Sequence, residues 1–139
     1  MNTSIQNRLQ KPNFILLVIF LLLVFMICQK VFGQTPEQEF LASVNDYRQK
    51  HLAPKLEYRE EGQELLTAVA KANAKKFCHC HSGAYAGEII TATAQLEDGL
   101  FQFKHSRPHR RQMLKRSHKK ATVGLYQGKK MLYVVVRFY

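Results

Sequence analysis

Acidic residues are missing from the end of the chain. Asp98 is the last of them, and 104–139 carries 11 Lys and Arg with no Asp or Glu. A one-sided cationic segment attracts anionic partners such as acidic glycans or anionic lipid headgroups, or serves as a solvated face. Cysteine is scarce as well, with three in 139 residues, which excludes a disulfide-dense scaffold. No Gly-x-Ser-x-Gly motif and no Ser-His-Asp set is present, so the common hydrolase nucleophiles are not signalled. Internal repeats and long low-complexity linkers are also absent. The apolar run Phe14–Cys28 has 15 residues, short of the ~20 that span a bilayer comfortably.

That run belongs to a three-part N-terminus. Arg8 and Lys11 precede it, and Val31 and Gly33 occupy the −3 and −1 places of a small-residue cleavage site, leaving Gln34 first. Residues 1–33 therefore read as a secretory signal peptide. The rival reading is an uncleaved anchor at 14–28, since Phe32 is not small. A lipoprotein site at Cys28 lacks small residues at Met26 and Ile27. Each reading places the folded part outside the cytosol, secreted, extracellular or periplasmic, and export argues against nucleic acid as a partner. Residues 34–139 suffice for one small core. Within them, 18 Lys and Arg stand against 10 acids.

The segment 36–51 has the signs of a helix. Thr35 stands at its cap, Pro36 at its first position, Glu37 and Glu39 in its first turn, and Phe40, Leu41, Val44, Tyr47 and Arg48 follow its period. Pro54 ends it, and Leu56 and Tyr58 point inward from a connector. A second helix is expected over about 60–77, with Leu65, Leu66, Val69, Ala72 and Phe77 buried and Gly62 near its start. "CHCHSGAYAG" reads as a loop and "EIITATA" as a strand. Short helices follow: one with Leu96, Leu100 and Phe103 inward, then one capped by Ser106 and anchored by Met113 and Leu114. The tail reads as a hairpin about Gln127–Gly128–Lys129. Its last strand is apolar on both faces, Leu132, Val134, Val136 and Phe138 on one and Met131, Tyr133 and Val135 on the other, so both faces should be covered. The fold class is α/β, a sheet between helical layers.

Asn45, Arg48, Pro54 and Leu56, then His81, Gly87 and Glu88, then Phe103, Ser106, His109 and Arg110, occur in a distinctive order. The chain resembles the CAP superfamily (cysteine-rich secretory proteins, antigen 5 and pathogenesis-related 1 proteins), closer to its short bacterial-type members. These residues match its Asn-x-x-Arg helix, Pro-x-Leu connector, His…Gly-Glu-Asn segment and bacterial-type aromatic-x-x-Ser-x-x-His-Arg element. The resemblance implies an α-β-α sandwich with a small central sheet ending in a C-terminal β-hairpin, and a secreted, usually non-enzymatic role. Ile89 departs from the usual Asn, the His81–Glu88 connection looks short, and the closing cysteines of the eukaryotic branch are absent.

The resemblance implies a cleft of His81, Glu88 and His109, with Ser106 where a second glutamate often stands. Two imidazoles and a carboxylate suit a divalent metal such as zinc, with one position open. The alternative is a hydrogen-bonded polar cluster in which Glu88 orients the histidines. The expected function is a binding domain for a small ligand or peptide. Two others stay open: a hydrolase with Glu88 as general base, and a basic adhesion module for anionic lipid or glycan surfaces through Arg110, Arg111, Lys115, Arg116, Lys119 and Lys120. Arg107, Arg110 and Arg111 are expected on an outer charged face. In "CHCH", Cys78 with Cys80 or His79 with His81 is a candidate copper or zinc pair. Otherwise Cys78 and Cys80 are expected as free thiols or at most a labile bond, because one intervening residue closes a small ring.

Overall fold

Helix α1 (Pro36–Lys50) starts at Thr35, whose hydroxyl accepts the Gln38 N–H while the Gln38 side chain accepts the Thr35 N–H. This reciprocal pair satisfies two donors that a helix start leaves unmet. The computed structural model describes residues 18–22, 33–83 and 87–139. The expected signal segment lies almost wholly outside them, apart from the helical stretch 18–22 and Gly33. Among the described residues no helix is long and apolar enough to cross a membrane. The fold below concerns the compact unit Thr35–Tyr139.

After α1 come β1 (Glu57–Tyr58), α2 (Gln63–Lys76), β2 (Glu88–Thr93), α3 (Leu96–His105), α4 (Arg107–Leu114), β3 (Lys120–Gln127) and β4 (Leu132–Phe138). The sheet runs β1-β3-β4-β2. Strand β1 lies parallel to β3, while β4 is antiparallel to both β3 and β2. Two cores cover its faces. Phe40, Leu41 and Val44 of α1, Leu100 and Phe103 of α3 and Met113 of α4 pack with Ile89, Val123, Val134 and Val136 on one side. Leu66 and Ala70 of α2 pack with Ile90, Ala92, Tyr133 and Val135 on the other. Strand β4 alternates between the two cores, as its double-sided apolar pattern requires. The architecture is an α-β-α sandwich closed by a C-terminal hairpin.

Helix α2 differs from expectation in its bounds and its buried stripe. It starts at Gln63 because Gly62 takes a left-handed conformation (φ 87). Leu66, Ala70 and Asn73 face inward, whereas Leu65, Ala72 and Phe77 are exposed. The cause lies in β3. A Cβ on Gly124 would sit 2.4 Å from the Leu66 carbonyl carbon and 2.5 Å from the Thr67 nitrogen, so the α2 backbone rests directly on the strand. That approach fixes the rotation of α2 around Leu66.

The Asn-x-x-Arg pair is architectural. The Asn45 amide donates to the Leu56 carbonyl at 2.9 Å and accepts the Leu56 N–H at 2.7 Å, bracketing the connector as a strand neighbour would. Arg48, fully buried, donates to the Pro54 carbonyl at 2.7 Å and to the carbonyls of Met113 and Lys115, tying α1 to the end of α4.

Candidate functional site

The loop after α2 is held from below by Asn73. Its amide donates to the Cys80 carbonyl (3.0 Å), its side-chain oxygen accepts the Cys80 N–H (3.2 Å), and its backbone carbonyl accepts the Cys78 N–H. Cys78 and Cys80 are joined in a disulfide, the second of the two expected states, rather than left as free thiols. Both sulfurs are thereby withdrawn from any thiolate metal site. The loop delivers His81, half exposed, and Ser82 to the end of the sheet.

There β2 begins with Glu88, opposite Arg137 of β4. The two form an ion pair of 2.8 Å with the carboxylate side chain fully buried. One Glu88 oxygen accepts the Ser82 N–H at 2.8 Å; the other accepts the Ser82 hydroxyl and the Arg137 guanidinium, each at 2.8 Å. Burial by itself would raise the Glu88 pKa. The Ser82 N–H, the Arg137 bond, the Ser82 hydroxyl and the Arg137 charge outweigh it and hold the pKa below its ordinary value. His81 Nδ1 lies 3.6 Å from the carboxylate, beyond a normal hydrogen bond.

His109 approaches from α4. Its ring meets Phe103 edge-on, with centroids 5.2 Å apart. Burial, then the nearby His81 and His79, lower its pKa and favour the neutral imidazole. His81, Glu88 and His109 line one open cavity of about 520 Å³ with Ile89, Arg107, Pro108, Arg111 and Gln112. Ser106 is not in that lining. It forms the joint between α3 and α4: its N–H reaches the Gln102 carbonyl and its own carbonyl accepts the Arg110 N–H, while its hydroxyl makes no capping bond.

The expected basic patch is exposed at Arg110, Arg111, Lys115, Arg116, Lys119 and Lys120. Two members have local work. Arg110 donates to the Lys104 carbonyl at the end of α3, and Lys120 pairs with Glu57 at 3.5 Å. Arg107 and Arg111, exposed as expected, also line the open cavity.

A zinc ion on His81, Glu88 and His109 would compete with contacts that Glu88 already makes. One Glu88 oxygen accepts from the Ser82 N–H, and the other from the Ser82 hydroxyl and the Arg137 guanidinium, which already balances the carboxylate charge. Among the described residues no group of three or more His, Cys, Asp or Glu is arranged to hold a metal ion.

Sequence reasoning passed over Arg137, Ser82, Asn73 and Gln112. Arg137 carried a usable signal, being the one charge in an otherwise apolar and aromatic strand. Asn73 carried a weaker one, as an amide on the inward stripe of an alanine-rich helix.

No protein-family model matches the chain, and no curated protein matches it by sequence. Solved structures do match. An outer surface protein of Borrelia burgdorferi superposes with a TM-score of 0.63 at 14% identity, over 73% of this chain and 89% of that one. An extracellular SCP-domain protein of Bacillus anthracis gives 0.57 at 17% identity, over 76% of this chain and 44% of that one. Hookworm platelet inhibitor gives 0.55 at 13% identity, over 80% and 75%. The chain spans less than half the length of the Bacillus protein. The fold of 35–139 is that of the CAP, or SCP, domain.

Proposed function

With the CAP fold as premise, we propose that this chain is an exported, extracellular binding domain without enzymatic activity. Its ligand, a small molecule or a peptide segment, sits in the cavity among His81, Glu88 and His109. The observation that carries this reading is the state of Glu88. A general base works best with a pKa near the working pH. Glu88 has both oxygens engaged, a buried guanidinium as partner and a lowered pKa, which suits a fixed wall better than a proton acceptor. The apolar N-terminal run, with its cationic start, and the extracellular and outer-surface neighbours support export.

The test is a fragment screen by ¹⁵N chemical-shift mapping on the chain, wild type against His109→Ala. Saturable shifts clustered on the cavity residues and lost in the variant support the reading. Turnover of a peptide or ester library that disappears with Glu88→Gln, in a protein that still folds, overturns it in favour of a hydrolase. The exposed Lys115, Arg116 and Lys119 favour adhesion to anionic surfaces as a second reading. Salt-sensitive retention on heparin, abolished when Lys115, Arg116, Lys119 and Lys120 are replaced by Gln, is its signature.

A further inference from the structure

The charges around the cavity are arranged for a ligand of one sign. Arg107 and Arg111 stand four residues apart on α4, hence on one face, and both line the cavity. Among the described residues neither has an acidic partner. Glu88, the one acid in the lining, is neutralised from behind by Arg137. The first turn of α4 holds no acid, although the positive end of a helix favours one there. His81 and His109 add ring nitrogens to the same wall. The lining thus offers two unpaired guanidiniums and two imidazoles, with no free carboxylate.

We propose that this cavity binds the tetrahedral oxyanion end of a ligand, a phosphoryl or sulfuryl group, held by Arg107 and Arg111 with His81 and His109 as further donors. The inference rests on the cavity being the ligand site. Guanidinium groups match such oxyanions in geometry as well as charge. A phosphoryl group presents three acceptor oxygens and up to two negative charges, against the single charge of a carboxylate. The same set of positive charges disfavours a cation and suits this group. An anion seated there favours the protonated form of His109, opposing the burial and cationic neighbours that lower its pKa.

The experiment uses the full chain with labelled His and Arg side chains, titrated with inorganic phosphate while the His81, His109, Arg107 and Arg111 signals are followed by NMR. Saturable shifts at these residues are expected. Affinity should fall at least about tenfold in Arg107→Gln/Arg111→Gln. Both sites are exposed, and a retained amide spectrum certifies the fold. Arg116→Gln/Lys119→Gln, equally cationic but outside the cavity lining, should bind as wild type. Equal weakening in both double variants, or shifts that never saturate, reduces the effect to general charge attraction and overturns the proposal. Glycerol phosphate against phosphatidic acid vesicles separates a soluble ester from a lipid headgroup as the source. Uncharged fragments that fill the cavity while phosphate does not would refute the oxyanion and leave the binding-domain reading intact. Failure of every probe to shift cavity residues would remove both.

Discussion

Glu88 and Arg137 are cross-strand partners on β2 and β4, and their side chains close a buried ion pair of 2.8 Å. Directly opposed residues of an antiparallel pair share one face of the sheet. The pair therefore joins two strands through side chains as well as backbone, and its carboxylate partner lines the cavity. It also holds the carboxylate in its ionised form, with its charge balanced by the guanidinium.

Breaking that pair from one side should cost more than removing it whole. Arg137→Met leaves a buried carboxylate and Glu88→Gln a buried guanidinium; either should destabilise the fold by about 3–5 kcal/mol. The double variant should lose less than the sum of the two, because no unpaired charge remains. Urea unfolding of all four species checks this, and strictly additive losses would show that the two charges do not interact in the fold. The lowered Glu88 pKa fixes the sign of the acid response. Its contribution is present above the ordinary carboxylate pKa and is lost as pH falls through the lower folded value.

Arg48 should resist conservative replacement. Its guanidinium spans the carbonyls of Pro54, Met113 and Lys115 from a fully buried position. A lysine ammonium lacks the planar fork that reaches them together. Arg48→Lys should cost at least about 2 kcal/mol, since carbonyls are left unsatisfied. Asn45→Ala, which frees both backbone groups of Leu56, should cost about 1–3 kcal/mol on the same grounds. Thermal and urea unfolding measure both. A neutral Arg48→Lys would mean that the carbonyl contacts carry no stability.

Two glycines should respond with opposite signs. At Gly124 a Cβ would run into the Leu66 and Thr67 backbone, so Gly124→Ala should push α2 off the sheet at a cost of about 1–3 kcal/mol. At Gly99, inside α3, a Cβ would meet Val134 and Thr91 methyls at 3.5 and 3.6 Å, which is ordinary contact. Gly99→Ala should stabilise the protein by about 0.5–1 kcal/mol through helix propensity. Midpoint shifts of the same sign in both variants would contradict this packing.

Much of the fold was legible because its signals are local. The Thr35 cap, the period of α1 and the two-sided apolar pattern of β4 each lie within one element. Helix α2 shows where that ends. Leu65, Leu66, Val69, Ala70 and Ala72 offer more than one apolar stripe, and a gap on another element, Gly124, chooses between them. The site divides the same way. His81, Glu88 and His109 came from the order of motifs, and the geometry gathers them around one cavity. Arg137 reverses the chemistry of Glu88 from 49 residues away, through a strand register that only the assembled sheet reveals. Ser106 was expected to cap α4 with its side chain, but only its backbone serves the joint with α3.

Stability should also fall with acid through a second route centred on His118. Its ring stacks on Phe138 with centroids 5.3 Å apart and sits within the exposed run Lys115–Lys120, yet the residue is buried. Burial, then Lys115 and Arg48, lowers its pKa from the ordinary value. The unfolded chain therefore binds a proton at higher pH than the folded one. Stability is fully present above the ordinary imidazole pKa of about 6.5 and is lost as pH falls from there through the folded value. His109, lowered by burial and by His81 and His79, adds loss of the same sign. His118→Phe keeps an aromatic ring against Phe138 and removes the titration. Its unfolding free energy, followed from about pH 7.5 to about pH 5, should slope less than that of the wild type, and His118→Phe/His109→Phe should slope less again. A slope unchanged in His118→Phe would mean that the ring takes up its proton without leaving its place on Phe138.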